Sequence, residues 1–162
     1  MRVVVLADTH MRPGSRRRLP AAALAEVERA DVVLHAGDIV TAEVLDYLGS
    51  YAPTVAVLGN NDDDLVGSLP ERRVLELDGV RIGMVHDSGP RRGREPRLRR
   101  DFPDADLVVF GHSHIPWNTA GFDGQWLLNP GSPTERRSQP QPTLATVDLA
   151  DGEIEAIKIV VV

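Results

Sequence analysis

Two histidines spaced by one residue, His112 and His114, are the residues of this sequence that point most directly to chemistry. They follow Gly111 and the largely apolar run Asp106–Phe110. A continuous apolar run bounded by glycine is typical of a strand that is covered on both faces. Neutral imidazole nitrogens bind transition metals, so the pair predicts a metal site just past the end of a buried strand. A lone histidine would more often be a structural residue.

Metal-ligating side chains also follow four other strand-like runs. The candidate ligands are Asp8, His10, Asp38, Asn60, His86, His112 and His114. Four of the five histidines of the chain belong to this set, whereas chance would scatter them through helices and loops. In extended backbone, residues i and i+2 point the same way, which predicts that Asp8 and His10 reach one ion together. Seven ligands exceed the roughly four that one zinc ion takes and suit two ions about 3.5–4 Å apart.

The chemistry of these ligands narrows the choice of metal. The sequence contains no cysteine, which excludes a thiolate site and a disulfide framework. Mixed imidazole, carboxylate and amide ligands favour transition metals over calcium. We therefore expect two divalent ions that share a carboxylate and a solvent oxygen, with manganese first and iron, zinc or nickel as alternatives.

The first third of the chain alternates strand-like and helical segments. The strand-like runs are Arg2–Ala7, Val32–Ala36 and Thr54–Leu58, and the helical segments between them are Pro20–Ala30 and Ala42–Ser50, with Thr41 as N-cap. This alternation predicts right-handed crossovers and a parallel sheet.

The rest of the chain is dominated by hairpins, which predict antiparallel pairing. The predicted pairs are Arg73–Leu77 with Val80–Val85, Trp117–Ala120 with Gln125–Leu128, and Thr143–Leu149 with Glu153–Val161. An early parallel half and a later antiparallel half suggest two sheets packed together with helices outside. The predicted fold class is α/β, an α-β-β-α sandwich with mixed parallel and antiparallel strands.

Composition limits the class of protein. A chain of 162 residues with 42% apolar residues fits one domain, 1–162, with a single sizeable core. No apolar segment approaches the roughly 20 residues that span a bilayer. A strand beginning at Arg2 leaves no room for a signal peptide, so a cytoplasmic location is expected. A net charge of −6 argues against a general nucleic-acid binder.

The spacing of the ligand residues resembles the calcineurin-like metallophosphoesterases. The matching motifs are Asp8-x-His10, Gly37-Asp38, Gly59-Asn60-x-Asp62, His86 and Gly111-His112-x-His114. The similarity is greatest to the small single-domain bacterial and archaeal phosphodiesterase branch, in which Asn129-Pro130-Gly131-Ser132 also recurs. The resemblance implies the metallophosphoesterase sandwich and the hydrolysis of a small phosphodiester substrate.

The resemblance also implies a role for each ligand. Asp8, His10 and His114 would hold one ion, and Asn60, His86 and His112 would hold the other. Asp38 would bridge both ions. The nucleophile would be a hydroxide that bridges the two metals, because coordination lowers the pKa of bound water toward neutrality. Asp38, Asn60 and His86 are therefore the candidate catalytic residues.

The sequence departs from the family pattern at two positions. Many members carry a histidine directly after the asparagine of the Gly-Asn motif, as general acid for the leaving alkoxide. Asn61 stands at this position here and cannot serve as an acid. This change predicts weak activity on esters with poor leaving groups and better activity on phenolic esters. Asp87 follows His86 where glycine is more usual, with no predicted consequence.

Other functions remain open at this point. The retromer scaffold subunit of eukaryotes shares the fold and binds proteins with little or no catalysis. A phosphomonoesterase would use the same ligands. Nuclease activity fits poorly with a chain this short and acidic, and neither nucleic acid nor a membrane is an expected partner. Exposed hairpins often pair chains, which suggests a homodimer.

Several conspicuous residues have structural explanations. His35 is expected to be a buried, hydrogen-bonded residue and not a ligand. Asp62 could support a ligand or cap the short helix that follows. The arginines of Arg91–Arg100 and Arg16–Arg18 could steer an anionic substrate, but a solvated face paired with acids is the favoured interpretation. Asn129–Ser132 is expected to set turn geometry.

Overall fold

The structure is a computed structural model that describes residues 1–162. It contains ten strands, three α-helices and a single 3-10 turn at Asp63–Leu65. In chain order the elements are β1 (Arg2–Leu6), α1 (Ala21–Val27), β2 (Val32–His35), α2 (Ala42–Gly49), β3 (Thr54–Ala56), β4 (Arg72–Leu77), β5 (Val80–Val85), α3 (Arg94–Asp101), β6 (Leu107–Val109), β7 (Trp117–Ala120), β8 (Trp126–Asn129), β9 (Thr143–Ala150) and β10 (Glu153–Val161).

The first sheet has the strand order β10-β9-β1-β2-β3. β1 pairs in parallel with β2, with Val3 opposite Val32, and β2 pairs in parallel with β3. These strands form because they are β-branched runs covered on both faces, as parallel strands usually are. The other edge of β1 pairs antiparallel with β9, which forms a hairpin with β10.

The second sheet has the order β4-β5-β6-β8-β7. β5, β6 and β8 are mutually parallel, and β4 and β7 are antiparallel strands at the two edges. The expected division into an early parallel and a late antiparallel half is therefore wrong. Both sheets are mixed, because the last two strands return to the free edge of β1 and the segment with α3 makes a parallel crossover from β5 to β6.

The core lies mainly between the two sheets, with a helix-covered layer on each outer face. Side chains of β1, β2 and β9 meet those of β5, β6 and β8 in the central layer. Residues of α1 and α2, such as Val27 and Leu48, pack on the outer face of the first sheet. Leu98 of α3 packs on the outer face of the second. This layering confirms the predicted α-β-β-α sandwich.

The element boundaries differ slightly from those predicted. α1 is shorter than the predicted Pro20–Ala30, with Pro20 in the N-cap position. Thr41 occupies the N-cap position of α2, but its hydroxyl makes no capping hydrogen bond. The structure has no helix with the length and apolar character required to cross a membrane.

Candidate metal centre

The segments that follow β1, β2, β3, β5 and β6 converge at one end of the sandwich. Backbone hydrogen bonds join neighbouring segments directly. The Asp8 amide donates to the Gly37 carbonyl at 3.0 Å, and the His10 amide donates to the Asp38 carbonyl at 2.9 Å. The Gly111 amide donates to the His86 carbonyl at 2.9 Å. Within each sheet, the segments that carry the ligands are thus held together by backbone hydrogen bonds alone.

Asp8, His10 and His114 form a compact group, here called the inner ligand set. The Nε2 atoms of His10 and His114 lie 3.4 Å apart, and His114 Nε2 lies 3.4 Å from Asp8 Oδ1. The Nδ1 atom of His114 bonds to the backbone carbonyl of Glu135, and only a protonated Nδ1 can donate to it. In the neutral imidazole, Nε2 therefore presents a lone pair to the group.

Asn60, His86 and His112 form a second group, the outer ligand set. Asn60 Oδ1 lies 3.1 Å from His86 Nε2 and 2.9 Å from His112 Nδ1. His86 Nδ1 donates to the Ala36 carbonyl at 2.7 Å. This bond leaves Nε2 as the lone-pair nitrogen of neutral His86, so it faces the oxygen of Asn60 without a proton between them.

Asp38 lies between the two sets. Its Oδ2 is 3.5 Å from His10 Nε2 in the inner set, and its Oδ1 is 3.4 Å from His86 Nε2 in the outer set. The carboxylate is 1% exposed by residue, so it meets both groups in the protein interior. No other carboxylate contacts both sets this closely, although Asp8 Oδ1 lies 4.0 Å from His86 Nε2.

The arrangement of donor atoms fits divalent cations. Electron-pair donors face one another, and Asp8 Oδ2 is buried without any hydrogen-bond partner. A buried carboxylate oxygen without a partner is costly unless a cation or a hydrogen-bond donor meets it. Asp8 with His10 and His114, and Asp8 with Asp38 and His86, each bring ligand atoms within 4.8 Å of one another, close enough to hold an ion. Nitrogen and oxygen ligands of this kind suit first-row divalent metals.

Burial and charge shift the pKa values of the buried ligands. Burial raises the pKa of the Asp8 carboxyl to about 7, against the opposing effect of His86. Burial also lowers the pKa values of His10 and His114, which keeps both imidazoles neutral and able to bind a metal.

Asp38 and His86 shift each other's pKa values. Burial alone would raise the pKa of Asp38, but the positive charge of protonated His86, whose Nε2–H then faces the carboxylate, and the hydrogen bonds from Asn61 hold it well below the usual range. Burial alone would lower the pKa of His86, yet the carboxylates of Asp38 and Asp8 hold it above the usual value. Asp38 is therefore an anion throughout the physiological pH range.

Five of the seven predicted ligands adopt left-handed backbone. They have positive φ values at Asp8 (55°), His10 (44°), Asp38 (57°), His112 (67°) and His114 (59°). The prediction that Asp8 and His10 share a direction through extended backbone is therefore wrong in its geometry. β1 has already ended, and two left-handed turns bring both side chains inward. Strained backbone of this kind is concentrated at functional sites.

Two glycines allow the segments to approach one another. A Cβ on Gly59 would lie 2.2 Å from Asp38 Oδ1, and a Cβ on Gly37 would lie 2.7 Å from His86 Nδ1. Gly37 also has a φ of +88°, which an L side chain rarely adopts. Glycine is therefore required in both the Gly-Asp and the Gly-Asn motif, because a side chain at either position would collide with a ligand residue.

Asp62 supports the ligand segments and does not cap the 3-10 turn. Its Oδ2 accepts from the Asp38 amide at 3.0 Å and from the Gly59 amide at 2.7 Å. Its Oδ1 accepts from the Val40 amide at 2.7 Å. The turn that follows has no side-chain capping bond. Asp62 therefore fixes the backbone on which Asp38 and Asn60 stand.

Asn61 is directed at Asp38. Its backbone amide donates to Asp38 Oδ1 at 2.9 Å, and its side-chain amide donates to Asp38 Oδ2 at 2.7 Å. Asn61 is uncharged, and these two hydrogen bonds orient the Asp38 carboxylate. Asp87, the other departure, accepts from the Gly89 amide at 2.7 Å and stabilises a turn beyond His86.

His35 and the Asn129–Ser132 turn have the structural roles that were expected. His35 is fully buried and its Nε2 is bonded to Thr9 Oγ1 at 3.0 Å, and burial lowers the pKa of this imidazole to about 3. Asn129 donates to the Gly111 carbonyl at 2.8 Å, and Ser132 donates to the Asp8 carbonyl at 2.8 Å. The turn therefore holds the segments that carry the ligands.

Several arginines of Arg91–Arg100 make contacts within the fold. Arg94 stacks on the Phe110 and Trp117 rings, at 4.9 and 5.3 Å from their centroids. Arg97 donates to the Ser88 carbonyl, and Arg99 pairs with Asp123. Pairing with acids was expected, whereas the packing of Arg94 on aromatic rings was not.

The arginines of the segment after β1 lie beside the ligands. A cleft of about 760 Å³ opens next to His10 and Asn61. It is lined by these two residues together with Arg12, Ser15, Arg16, Arg17, Arg18, Val40 and Thr134. Arg17 pairs with Glu135 at 3.0 Å, as the interpretation as a solvated face paired with acids predicted, and the same segment also lies beside the ligands. The sequence could not show that this segment folds back over the site.

Residues 134 and 135 were not predicted to belong to the site. The Glu135 carbonyl fixes the His114 ring, and its carboxylate lies 3.7 Å from His10 Nε2. Thr134 Oγ1 donates to the Thr9 carbonyl at 2.6 Å. A backbone carbonyl carries no residue-type signal. Only the position of Thr134 and Glu135 shortly after the Asn-Pro-Gly-Ser turn could have indicated that they belong to the site.

The sequence matches a known family over most of its length. The model of the calcineurin-like phosphoesterase superfamily domain matches residues 1–152. A "Probable metallophosphoesterase" of Methanothermobacter thermautotrophicus is 31% identical over 161 residues, covering 98% of this chain and 92% of that protein. Another "Probable metallophosphoesterase", from Methanocaldococcus jannaschii, is 36% identical over 140 residues, covering 85% of this chain and 70% of its own length.

A solved structure shares the fold. Vps29 of Entamoeba histolytica complexed with zinc superposes with a TM-score of 0.78 at 24% identity, over all of this chain and 98% of that one. At this identity the likeness shows the architecture alone. The family match and the archaeal relatives identify the chain as a small member of the calcineurin-like phosphoesterase superfamily, to which it belongs.

Proposed function

We propose that the chain is a metal-dependent phosphodiesterase that acts as a single domain with two divalent ions, manganese first among the candidates. The observation that carries this proposal is the position of Asp38, whose two oxygens lie 3.5 Å from His10 Nε2 and 3.4 Å from His86 Nε2. A carboxylate with one oxygen toward each ligand set is what a shared ligand of two ions requires. The inner set would hold one ion and the outer set the other.

Two bound ions would lower the pKa of a water molecule toward neutrality and neutralise the charge that develops on phosphoryl oxygens. The residues of this chain contribute orientation and protonation state. Asn61 fixes Asp38 through two hydrogen bonds, and Asp62 fixes the backbone of Asp38. Carbonyl acceptors hold the Nδ1–H of His86 and of His114, so that each Nε2 points into the centre.

Protonation of the leaving group has no obvious donor among the lining residues. Asn61 occupies the expected position, and its side-chain amide donates to Asp38 instead. A reaction without general acid catalysis loses about 10²–10⁴ in rate when the leaving group is a poor one. We therefore propose that the enzyme favours phosphodiesters whose leaving group departs as a stable anion, such as a phenolate.

The cleft beside the ligands is large enough to hold a phosphodiester. A volume of about 760 Å³ is well above that of a phosphoryl group and leaves room for both ester substituents. The test is hydrolysis of bis-p-nitrophenyl phosphate and of p-nitrophenyl phosphate by metal-stripped protein with and without manganese. We expect turnover that depends on manganese, vanishes with chelator and is faster on the diester. Faster turnover of the monoester would show a phosphomonoesterase instead.

The alternative is a metal-binding scaffold for protein interactions with little or no catalysis. A pure scaffold has no need of competent residues at all seven ligand positions, or of a polar cleft beside them. Absence of turnover with manganese, iron, zinc and nickel would favour the scaffold, and the search would move to a protein partner.

A further inference from the structure

An arginine-lined wall stands beside the candidate metal centre in a chain that is acidic overall. It consists of Arg12, Arg16, Arg17 and Arg18, four of the 18 basic residues in a protein of net charge −6. All four line the cleft that includes His10 and Asn61, and they are called the arginine wall below.

Most of this positive charge is uncompensated. Glu135 pairs with Arg17 at 3.0 Å, and it is the only carboxylate that forms an ion pair with the arginine wall. Arg12 and Arg16 are exposed, and their guanidinium groups form neither an ion pair nor a hydrogen bond. Arg18 donates to the carbonyls of Ser15 and Arg17, which holds its segment in place. The four arginines therefore outnumber the neighbouring carboxylates, which are Glu135 and, around an adjoining pocket, Glu43.

The remaining lining residues indicate which ligand chemistry the wall would recognise. Only Val40 is hydrophobic, and no phenylalanine, tyrosine or tryptophan side chain lines the cleft. Ser15 and Thr134 add hydroxyl groups. Guanidinium groups recognise phosphate oxygens through charge-assisted and bidentate hydrogen bonds. The cleft can therefore discriminate between ligands by their negative charge.

The charge exceeds what a single diester needs. A phosphodiester carries one negative charge, and two metal ions would already compensate it at the centre. We propose that the arginine wall is a specificity subsite for a second phosphate group, so that the enzyme selects small phosphodiesters that carry a further phosphate beyond the scissile one. This inference rests on the proposed phosphodiesterase function and names its substrate class.

The test uses two substrates that differ by one phosphate. Both thymidine 5′-(p-nitrophenyl phosphate) and its 3′-phosphorylated form release p-nitrophenolate from the same diester. We expect kcat/KM to be at least about tenfold higher for the 3′-phosphorylated substrate, mainly through KM. The preference should shrink as salt is raised from about 0.05 to 0.5 M, because exposed charges are screened. Equal kcat/KM values for the two substrates would overturn the proposal.

The informative variant is the double change Arg12→Gln and Arg16→Gln. Neither side chain makes a contact that the fold depends on, so the change removes charge alone. It should bring the ratio of the two kcat/KM values to about one, because the loss is larger on the 3′-phosphorylated substrate than on the singly phosphorylated diester. Arg92→Gln, an exposed arginine outside the cleft, is the matched control and should retain the full preference.

Binding separates this proposal from the proposed function. Calorimetry on the manganese-loaded protein with thymidine 5′-monophosphate and thymidine 3′,5′-bisphosphate requires no turnover. We expect the bisphosphate to bind at least about tenfold more tightly in the wild type and no more tightly in the double variant. Equal affinities in the wild type would refute the arginine wall as a subsite. Absence of turnover on both chromogenic diesters would refute the phosphodiesterase function alone.

Discussion

The inner and outer ligand sets use similar side chains in different surroundings. Asp8 and His114 of the inner set are 0% and 1% exposed and His10 is half-buried, whereas in the outer set only His86 is buried and Asn60 and His112 are exposed. The inner set includes a buried carboxylate with an unpartnered oxygen, and the outer set relies on a neutral amide. An ion in the inner set would relieve a buried charge, so we expect it to bind more tightly than the outer ion.

Asp38 is the residue that both sets share, so its removal has the largest expected effect. Asp38→Ala deletes a ligand of both ions and should lower kcat on bis-p-nitrophenyl phosphate by at least about 1,000-fold. Circular dichroism should show a retained fold. Asp63→Ala, an exposed acid nearby, is the matched control. Wild-type turnover by Asp38→Ala would contradict the proposed two-ion mechanism.

The pair His114→Ala and His112→Ala compares the two sets directly. His114→Ala should lose about 100-fold in activity without recovery at high manganese, because a buried ligand of the tight ion is gone. His112→Ala should lose about 10-fold at micromolar manganese and recover at millimolar concentrations, since it weakens an exposed site. The measurement is the manganese dependence of kcat for each variant. Identical dependences would show that the two sets do not differ.

Asp62 tests whether the two sets are held by one support. Asp62→Ala leaves the amides of Asp38, Val40 and Gly59 without their acceptor. We expect unfolding free energy to fall by about 2–4 kcal/mol in denaturant titrations, because buried donors lose their partner. Asp64→Ala, which is exposed, should change stability by less than about 0.5 kcal/mol. A similarly small change for Asp62→Ala would contradict the supporting role.

Asn61 gives the smallest expected effect. Asn61→His supplies an imidazole at the position that lacks a general acid. We expect it to raise the ratio of alkyl to aryl phosphodiester hydrolysis by about tenfold, below the effect of a fully positioned acid. Asn61→Ala loses the same bond to Asp38 without gaining an acid, so it should leave the ratio unchanged. A ratio that rises equally in both variants would rule out acid assistance.

The sequence was most informative where residue type alone carries the signal. Residue type and position were enough to place four ligands at one edge of the sheets, because parallel strands end together. These ligands are His112 and His114, which follow a buried strand, and Asp38 and Asn60, which follow glycines. The two-sheet sandwich followed from strand and helix patterns. These features depend on local sequence.

Features that depend on long-range pairing could not be predicted. The return of β9 to the edge of β1 joins residues that are 140 to 146 positions apart, from Val5 opposite Ala145 to Arg2 opposite Asp148. Left-handed backbone at Asp8 and His10 has only a weak residue-type signal, because aspartate and histidine adopt it more often than most residues but far less often than glycine. The approach of Arg12 and Arg16 to the ligands depends on how a loop folds back, and the role of Glu135 rests on a backbone carbonyl.

The most direct test is to titrate metal-stripped protein with manganese while measuring metal content and hydrolysis of bis-p-nitrophenyl phosphate on the same samples. The inner and outer sets predict two ions per chain that bind in sequence. Activity should stay near background up to one ion per chain and rise between one and two, because both ions and the shared Asp38 are required. Full activity at one ion per chain, or none at two, would contradict the two-ion phosphodiesterase.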